Sequence, residues 1–276
     1  MENFLNSNFL TAIATILLVL VGLVQIYILF SQKKQTRIAL TEQYRQLWES
    51  LKQHWGKIIF ISRNEGEYYQ ILDEKSINSL LKEINNFKLD YPTIWALESV
   101  QKISGVLSEV SIRVLQGHLN IEDIYPIFGT QFLRQTRPLR ELLEPEYITS
   151  HTINDSSNEH IYIKKEIQDW LIYHDGTRRR CLILIDLLWA EAARLEDLPP
   201  DDMQSAADAK KNTGKFNKKR IITETIKLNG ILGFYSAFKL SRFLKNSEYF
   251  SFKNWRGIKK SRLEKLHKEW NNRLLR

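Results

Sequence analysis

Residues 9–30 read FLTAIATILLVLVGLVQIYILF, 22 positions without Asp, Glu, Lys, Arg, His or Pro. At about 1.5 Å per residue such a helix is roughly 33 Å long, enough to cross a hydrocarbon core. A buried core helix usually keeps a polar stripe, whereas this run has only Thr11, Thr15 and Gln25. A cleaved secretory signal fits poorly. The leading MENFLNSN carries no Lys or Arg, and the run is longer than a signal's apolar core. The stretch therefore reads as a retained transmembrane helix (9–30) behind a short extracytoplasmic leader (1–8).

Flanking charge sets the expected orientation. Only Glu2 precedes the run, while Lys33, Lys34 and Arg37 follow it. The basic side stays cytoplasmic, so the leader is expected outside and the body inside. Cys181 is the sole cysteine, which excludes an intramolecular disulfide and suits a reducing compartment.

Residues 31–276 are enough for a sizeable core. Hydrophobic content is 43% with 7 Trp, while Gly (11) and Pro (6) are scarce. This balance disfavours a turn-rich β fold and predicts an all-α chain: a transmembrane helix continuing into a cytoplasmic helical bundle, then a basic helical segment. No repeat is visible.

After Phe30 nothing stops the helix. Leu40, Tyr44, Leu47, Trp48, Leu51, Trp55, Ile58 and Ile59 continue at helical spacing, so one helix is expected from about Asn8 to near Ser62. Trp48 and Trp55 read as core; a coiled-coil seam over barely two heptads is the alternative. A helix capped at Asp73 or Ser76 is expected to reach Phe87, and another to run from Thr93 to about Gln116, stopped by Gly117. Tyr125-Pro126 and Gly129 predict a kinked helix over 121–144, ended by Pro145. HTINDSSN (151–158) reads as a loop, followed by a helix to about His174 and a turn at Asp175-Gly176. Thr177 is expected to cap CLILIDLLWAEAARLED (181–197), apolar all round and hence the central helix. Its Asp186 needs a cation, from Arg178 to Arg180 or from another helix. SAADAKKNTGKF (205–216) reads as a mobile linker between a body (31–204) and a basic segment (217–276). Two helical patterns follow, 221–245 with Ile222, Ile226, Ile231, Leu232, Tyr235, Phe238 and Phe243, and 258–276 with Leu263, Leu266, Trp270 and Leu274.

A search for chemistry returns little. His54, His118, His151, His160, His174 and His267 form no ligand-spaced pair and none neighbours Cys181, so no metal site is expected. No nucleophile elbow, phosphate loop or dinucleotide fingerprint is present, and no cofactor or catalytic residue is assigned. Arginines 178–180 could lower the Cys181 pKa, but a lone cysteine opening an apolar helix reads as buried and inert. The chain is not expected to be an enzyme.

Charge is the remaining signal. Residues 210–276 hold 19 Lys and Arg against 4 acids, while 1–209 hold 21 against 28. Candidate contacts to an anionic surface or to phosphates are Lys33, Lys34, Arg37, Arg178, Arg179, Arg180, Lys218, Lys219, Arg220, Lys259, Lys260 and Arg262. Candidate aromatic contacts are Phe250, Phe252, Trp255 and Trp270. Such a surface could lie on anionic lipid, hold nucleic-acid phosphates with stacked bases, or pack on the acidic body.

The amino-terminal part resembles a group of uncharacterised bacterial proteins with one amino-terminal span and a helical cytoplasmic body. The features that carry it are the span, Lys33-Lys34 with Arg37, YRQLW (44–48) and IEDIYPIFG (121–129), over residues 1–145; the basic tail departs from the pattern. The resemblance implies helices and placement in a bacterial inner membrane, and it carries over no functional residue. The expected function is a membrane-anchored binding or scaffold protein whose partners are the bilayer and a protein. The alternative is a membrane-tethered nucleic-acid-binding sensor or effector in a stress or phage-defence response. A homo-oligomer through residues 9–62 is a third reading.

Overall fold

The computed structural model describes the backbone of residues 2–62, 92–144, 158–250 and 257–274. Among these the chain is nearly all helical, and an isolated parallel bridge pairs Tyr249 with Ile258. The helices are α1 (Glu2–Ser62), α2 (Pro92–Leu115), α3 (Ile121–Leu143), α4 (Asn158–Tyr173), α5 (Asp175–Leu195), α6 (Pro200–Asn229), α7 (Phe234–Phe243) and α8 (Lys260–Leu274). The expected helix 73–87 and most of the loop 151–158 lie outside the described residues.

Two compact units divide the chain, Met1–Gln43 and Tyr44–Arg276. The described part of the first is α1 alone, with apolar side chains such as Leu18, Tyr27 and Phe30 exposed. This helix is long and apolar enough to cross a membrane. The expected run through to Ser62 holds, since no proline interrupts it.

In the second unit the end of α1 buries Tyr44, Trp48, Leu51, Trp55 and Ile58. Their spacing places them on one stripe. Trp48 meets Phe128 edge-on at 4.8 Å and Phe132 at 5.3 Å between ring centroids. Trp55 lies 4.9 Å from Phe132 and donates its indole N–H to Gln135 Oε1 at 2.8 Å. The tryptophans are thus core residues of their own chain, and this stripe is not left open as an intermolecular seam. The phenylalanines come from α3, which kinks at Gly129 (φ 68, ψ 179) as expected from sequence. That backbone geometry is open only to glycine at low strain.

Helix α5 is the centre. Every residue from Cys181 to Leu188 is buried, with α2 and α3 packed against it. Ser104 and Ser108 are buried on α2, and the Cys181 thiol donates to the Ser104 carbonyl at 3.2 Å. Burial pushes that thiol up to about 12, opposite to the lowering that neighbouring arginines could cause. Helix α5 begins at Asp175, not at a Thr177 cap, and only His174 separates it from α4. The Asp175 carboxylate in the first turn accepts from Arg178 and suits the positive end of the helix.

The expected linker 205–216 is continuous helix within α6. Met203, Ala207, Lys210, Asn217, Ile221 and Glu224 are buried along it, at spacings of three, four and seven. Within 205–216 the buried positions are Ala207 and Lys210, a small and a polar residue, which is why that stretch of sequence read as unstructured. Helix α6 ends at Gly230, so the expected 221–245 helix is split by a 3-10 turn, Gly230–Gly233, before α7. A second 3-10 turn, Leu244–Ser247, leads to the bridge. There the Phe250 N–H donates to the Ile258 carbonyl and the Ile258 N–H to the Glu248 carbonyl, both at 2.7 Å. A Cβ on Gly257 would lie 2.3 Å from the Glu248 carbonyl oxygen, so the close approach of the two segments needs glycine there.

Candidate functional site: a basic surface and its ion pairs

The twelve cations singled out in the sequence divide into two groups. Arg178, Arg179, Arg180, Arg220 and Arg262 engage acids of their own unit. Arg178 donates to Asp175 at 2.7 Å and to the Leu143 carbonyl at 3.0 Å. Arg179 pairs with Asp175 and, through Nε, with Glu224 at 2.8 Å; Arg180 reaches the same Glu224 at 3.4 Å. Glu224 has a side chain only 2% exposed, so these arginines neutralise a carboxylate that would otherwise be buried with little compensation. Arg220 pairs with Glu144 at 3.3 Å and Arg262 with Glu196 at 2.6 Å.

The Arg220–Glu144 pair joins a partly buried seam. Asp186 accepts from Arg140 Nη2 at 2.9 Å, and Arg140 Nε lies 3.4 Å from Glu144. The partner of Asp186 is therefore on α3. Burial works against the Arg140 charge, but Asp186 and Glu144 outweigh it and its pKa is raised. Lys210 lies in the field of the same seam. It is buried, and its Nζ has no hydrogen-bond partner among the described residues. Burial lowers its pKa to about 8 against the pull of Asp186 and Glu248.

The lysines among the remaining cations face outward. Lys218 and Lys219 on α6, and Lys259 and Lys260 at the start of α8, are exposed. Lys259 Nζ sits 5.6 Å from the Phe250 ring centroid and Lys260 Nζ 5.2 Å from that of Tyr249. Phe250 and Trp270 are exposed, whereas Phe252 and Trp255 lie outside the described residues. In the first unit Lys33 and Lys34 are exposed and Arg37 is half-buried.

A cavity of about 170 Å³ opens beside α8, lined among others by Arg194, Met203, Asn246, Ile258 and Arg262. Small-molecule sites are usually about 300–1,000 Å³, so this one suits a very small guest. The Asn246 amide is buried, and neither its nitrogen nor its oxygen has a partner among the described residues. Among the described residues no group of three or more His, Cys, Asp or Glu could hold a metal ion.

Two features escaped the sequence reading. Lys210 looked like one of many solvated lysines. Ile231, Leu232, Tyr235 and Phe238 fall within the expected 221–245 helix, whereas the chain turns at 230–233 and all four are exposed. The usable signal was Gly230 and Gly233 bracketing Ile231-Leu232, which marks a turn rather than a helix interior. No protein-family model matches the chain, and no curated protein or solved structure is similar to it.

Proposed function

We propose that this chain is a membrane-anchored binding or scaffold protein of the bacterial inner membrane, its leader outside and its helical body in the cytoplasm. The observation that carries the reading is the helix over 9–30, whose apolar side chains are almost all exposed while Cys181 to Leu188 of α5 are all buried. A water-soluble helix does not leave such a surface uncovered. Lys33, Lys34 and Arg37 at one end support the orientation. Lys218, Lys219, Lys259 and Lys260 supply an outward basic surface for anionic lipid or an acidic protein.

Alkaline extraction of membranes holding the full chain tests the anchor, and protease added to sealed spheroplasts tests the orientation. The chain should remain in the pellet, with its body protected. Release at high pH would remove the anchor; digestion of the body from outside would reverse the orientation.

A second reading, a membrane-tethered nucleic-acid binder, is favoured by the exposed Phe250 beside Lys259. Phosphate contact and base stacking use this combination. Binding of the detergent-solubilised chain to single-stranded DNA or RNA should then fall steeply with salt. No binding at low salt would exclude it.

A further inference from the structure

Large apolar side chains left outside a folded body mark a contact surface. In the turn between α6 and α7, Ile231 and Leu232 are each 92% exposed, and Phe234, Tyr235 and Phe238 are 60–76% exposed. The turn is built rather than frayed. At its base Asn229 Nδ2 donates to the Leu115 carbonyl of α2 at 2.9 Å and to the Thr225 carbonyl at 3.1 Å. A Cβ on Gly233 would lie 2.8 Å from the Thr225 carbonyl oxygen, so the turn folds back closely on α6.

Charge selects the occupant. Between Glu224 and Glu248 the sequence has no acid, and it holds Lys227, Lys239, Arg242 and Lys245. Helix α7 buries Ala237, Leu240 and Ser241 against the body. On its outer face the row Phe234–Phe238 leads at four-residue spacing to Arg242, and Tyr235 leads to Lys239; both cations are exposed. One helical turn rises about 5.4 Å. Arg242 therefore stands one turn behind Phe238 and two behind Phe234, and Lys239 one turn behind Tyr235, a spacing comparable to the distance from lipid headgroups to the start of the acyl region. Interfacial elements place their apolar side about 5–10 Å into that boundary, with basic groups at the surface.

We propose that the α6–α7 turn is a second membrane contact: Ile231, Leu232, Phe234, Tyr235 and Phe238 enter the headgroup–acyl boundary of an anionic bilayer, with Lys239 and Arg242 on its headgroups. This rests on the membrane-anchored reading above, and it adds a site, a depth and a lipid class to it. The contact is reversible and depends on anionic lipid, unlike the span at 9–30.

The test uses the full chain reconstituted in vesicles of phosphatidylcholine with or without phosphatidylglycerol. A nitrobenzoxadiazole label is placed at L232C, Cys181 being buried, and a control label at E264C on α8. With phosphatidylglycerol present, the label at position 232 should shift to the blue and lose about half its emission to shallow doxyl lipids. The control label should stay in water. K239E with R242E should reduce the quenching. Water-like, unquenched emission at position 232 in chains that resist alkaline extraction overturns the contact while leaving the anchor intact. Chains that extract at high pH overturn the anchor itself. A response that appears only at high protein-to-lipid ratio, without doxyl quenching, overturns the contact in favour of a second copy of the chain.

Discussion

Arg140 Nη2 donates to Asp186 Oδ1 at 2.9 Å, joining α3 to the centre of α5 across 46 residues of sequence. Asp186 is 7% exposed, so the ion is held inside the fold by its partner. Asp186→Ala strands a largely desolvated guanidinium, and removing one member of a buried pair typically loses about 3–5 kcal/mol. Arg140 keeps some water access and Glu144, so a loss near 3 kcal/mol is expected. Urea unfolding of detergent-solubilised chain measures it, and R140M/D186L should recover most of the loss.

Lys210 makes stability depend on alkaline pH. Its folded pKa near 8 lies below the ordinary 10.5, and burial is the main cause. Between those values the unfolded chain binds more protons than the folded one, so stability rises with pH across that window. Below pH 8 the penalty for the buried charge is complete. Lys210→Met should therefore be more stable than wild type at pH 7, by up to roughly 3 kcal/mol, with the difference shrinking toward pH 10.5. A pH-independent difference would show that the ammonium is hydrated in the fold.

The inward and outward cations should respond differently to substitution. Arg179→Ala removes the shorter of two arginine contacts to Glu224 and should lower stability by about 2 kcal/mol. Charge reversal at Lys218, Lys219, Lys259 and Lys260 should leave the melting temperature nearly unchanged. It should weaken binding to anionic vesicles, most clearly at low salt, because exposed charges are screened within about 10 Å at 0.1 M. Equal loss of stability from both sets would show that the lysines too are structural.

Trp48→Ala opens a hole among Trp55, Phe128 and Phe132. Truncating a buried aromatic typically loses about 3–5 kcal/mol. Thermal unfolding followed by circular dichroism should show it, with α1 still helical over 9–30.

Gly257→Ala puts a methyl against the Glu248 carbonyl and should part the bridge. Hydrogen exchange at the Ile258 amide, which donates to that carbonyl, should accelerate while the amides of α5 stay protected.

The sequence exposed those parts of the fold that rest on local pattern. The uninterrupted α1, the all-round apolar α5, the stop at Gly117 and the kink at Gly129 each follow from a few adjacent residues. What stayed hidden depends on which face is covered. Ala207, Lys210, Gly214 and Asn217 line the docked side of α6, and no hydropathy pattern marks alanine, glycine and asparagine as buried. At Ile231 to Phe238 the helical spacing of large apolar residues left open whether they meet the body or a partner, and the turn at 230–233 leaves them exposed. Arginines 178–180 offered cations for a buried acid, and only their distances to Asp175 and Glu224 show which acids they meet.

The depth of Cys181 turns the single cysteine into a clock for opening. With burial pushing its thiol up to about 12, the native chain at pH 7 holds far less thiolate than an exposed cysteine would. A thiol reagent can react at an appreciable rate only in molecules whose centre has come apart. When closing is fast, the reaction rate is the intrinsic thiol rate multiplied by the fraction open, and so reports the opening free energy directly. The same readout works inside a membrane or a cell, where denaturants cannot be used, and would show whether lipid contact tightens or loosens the helices around α5.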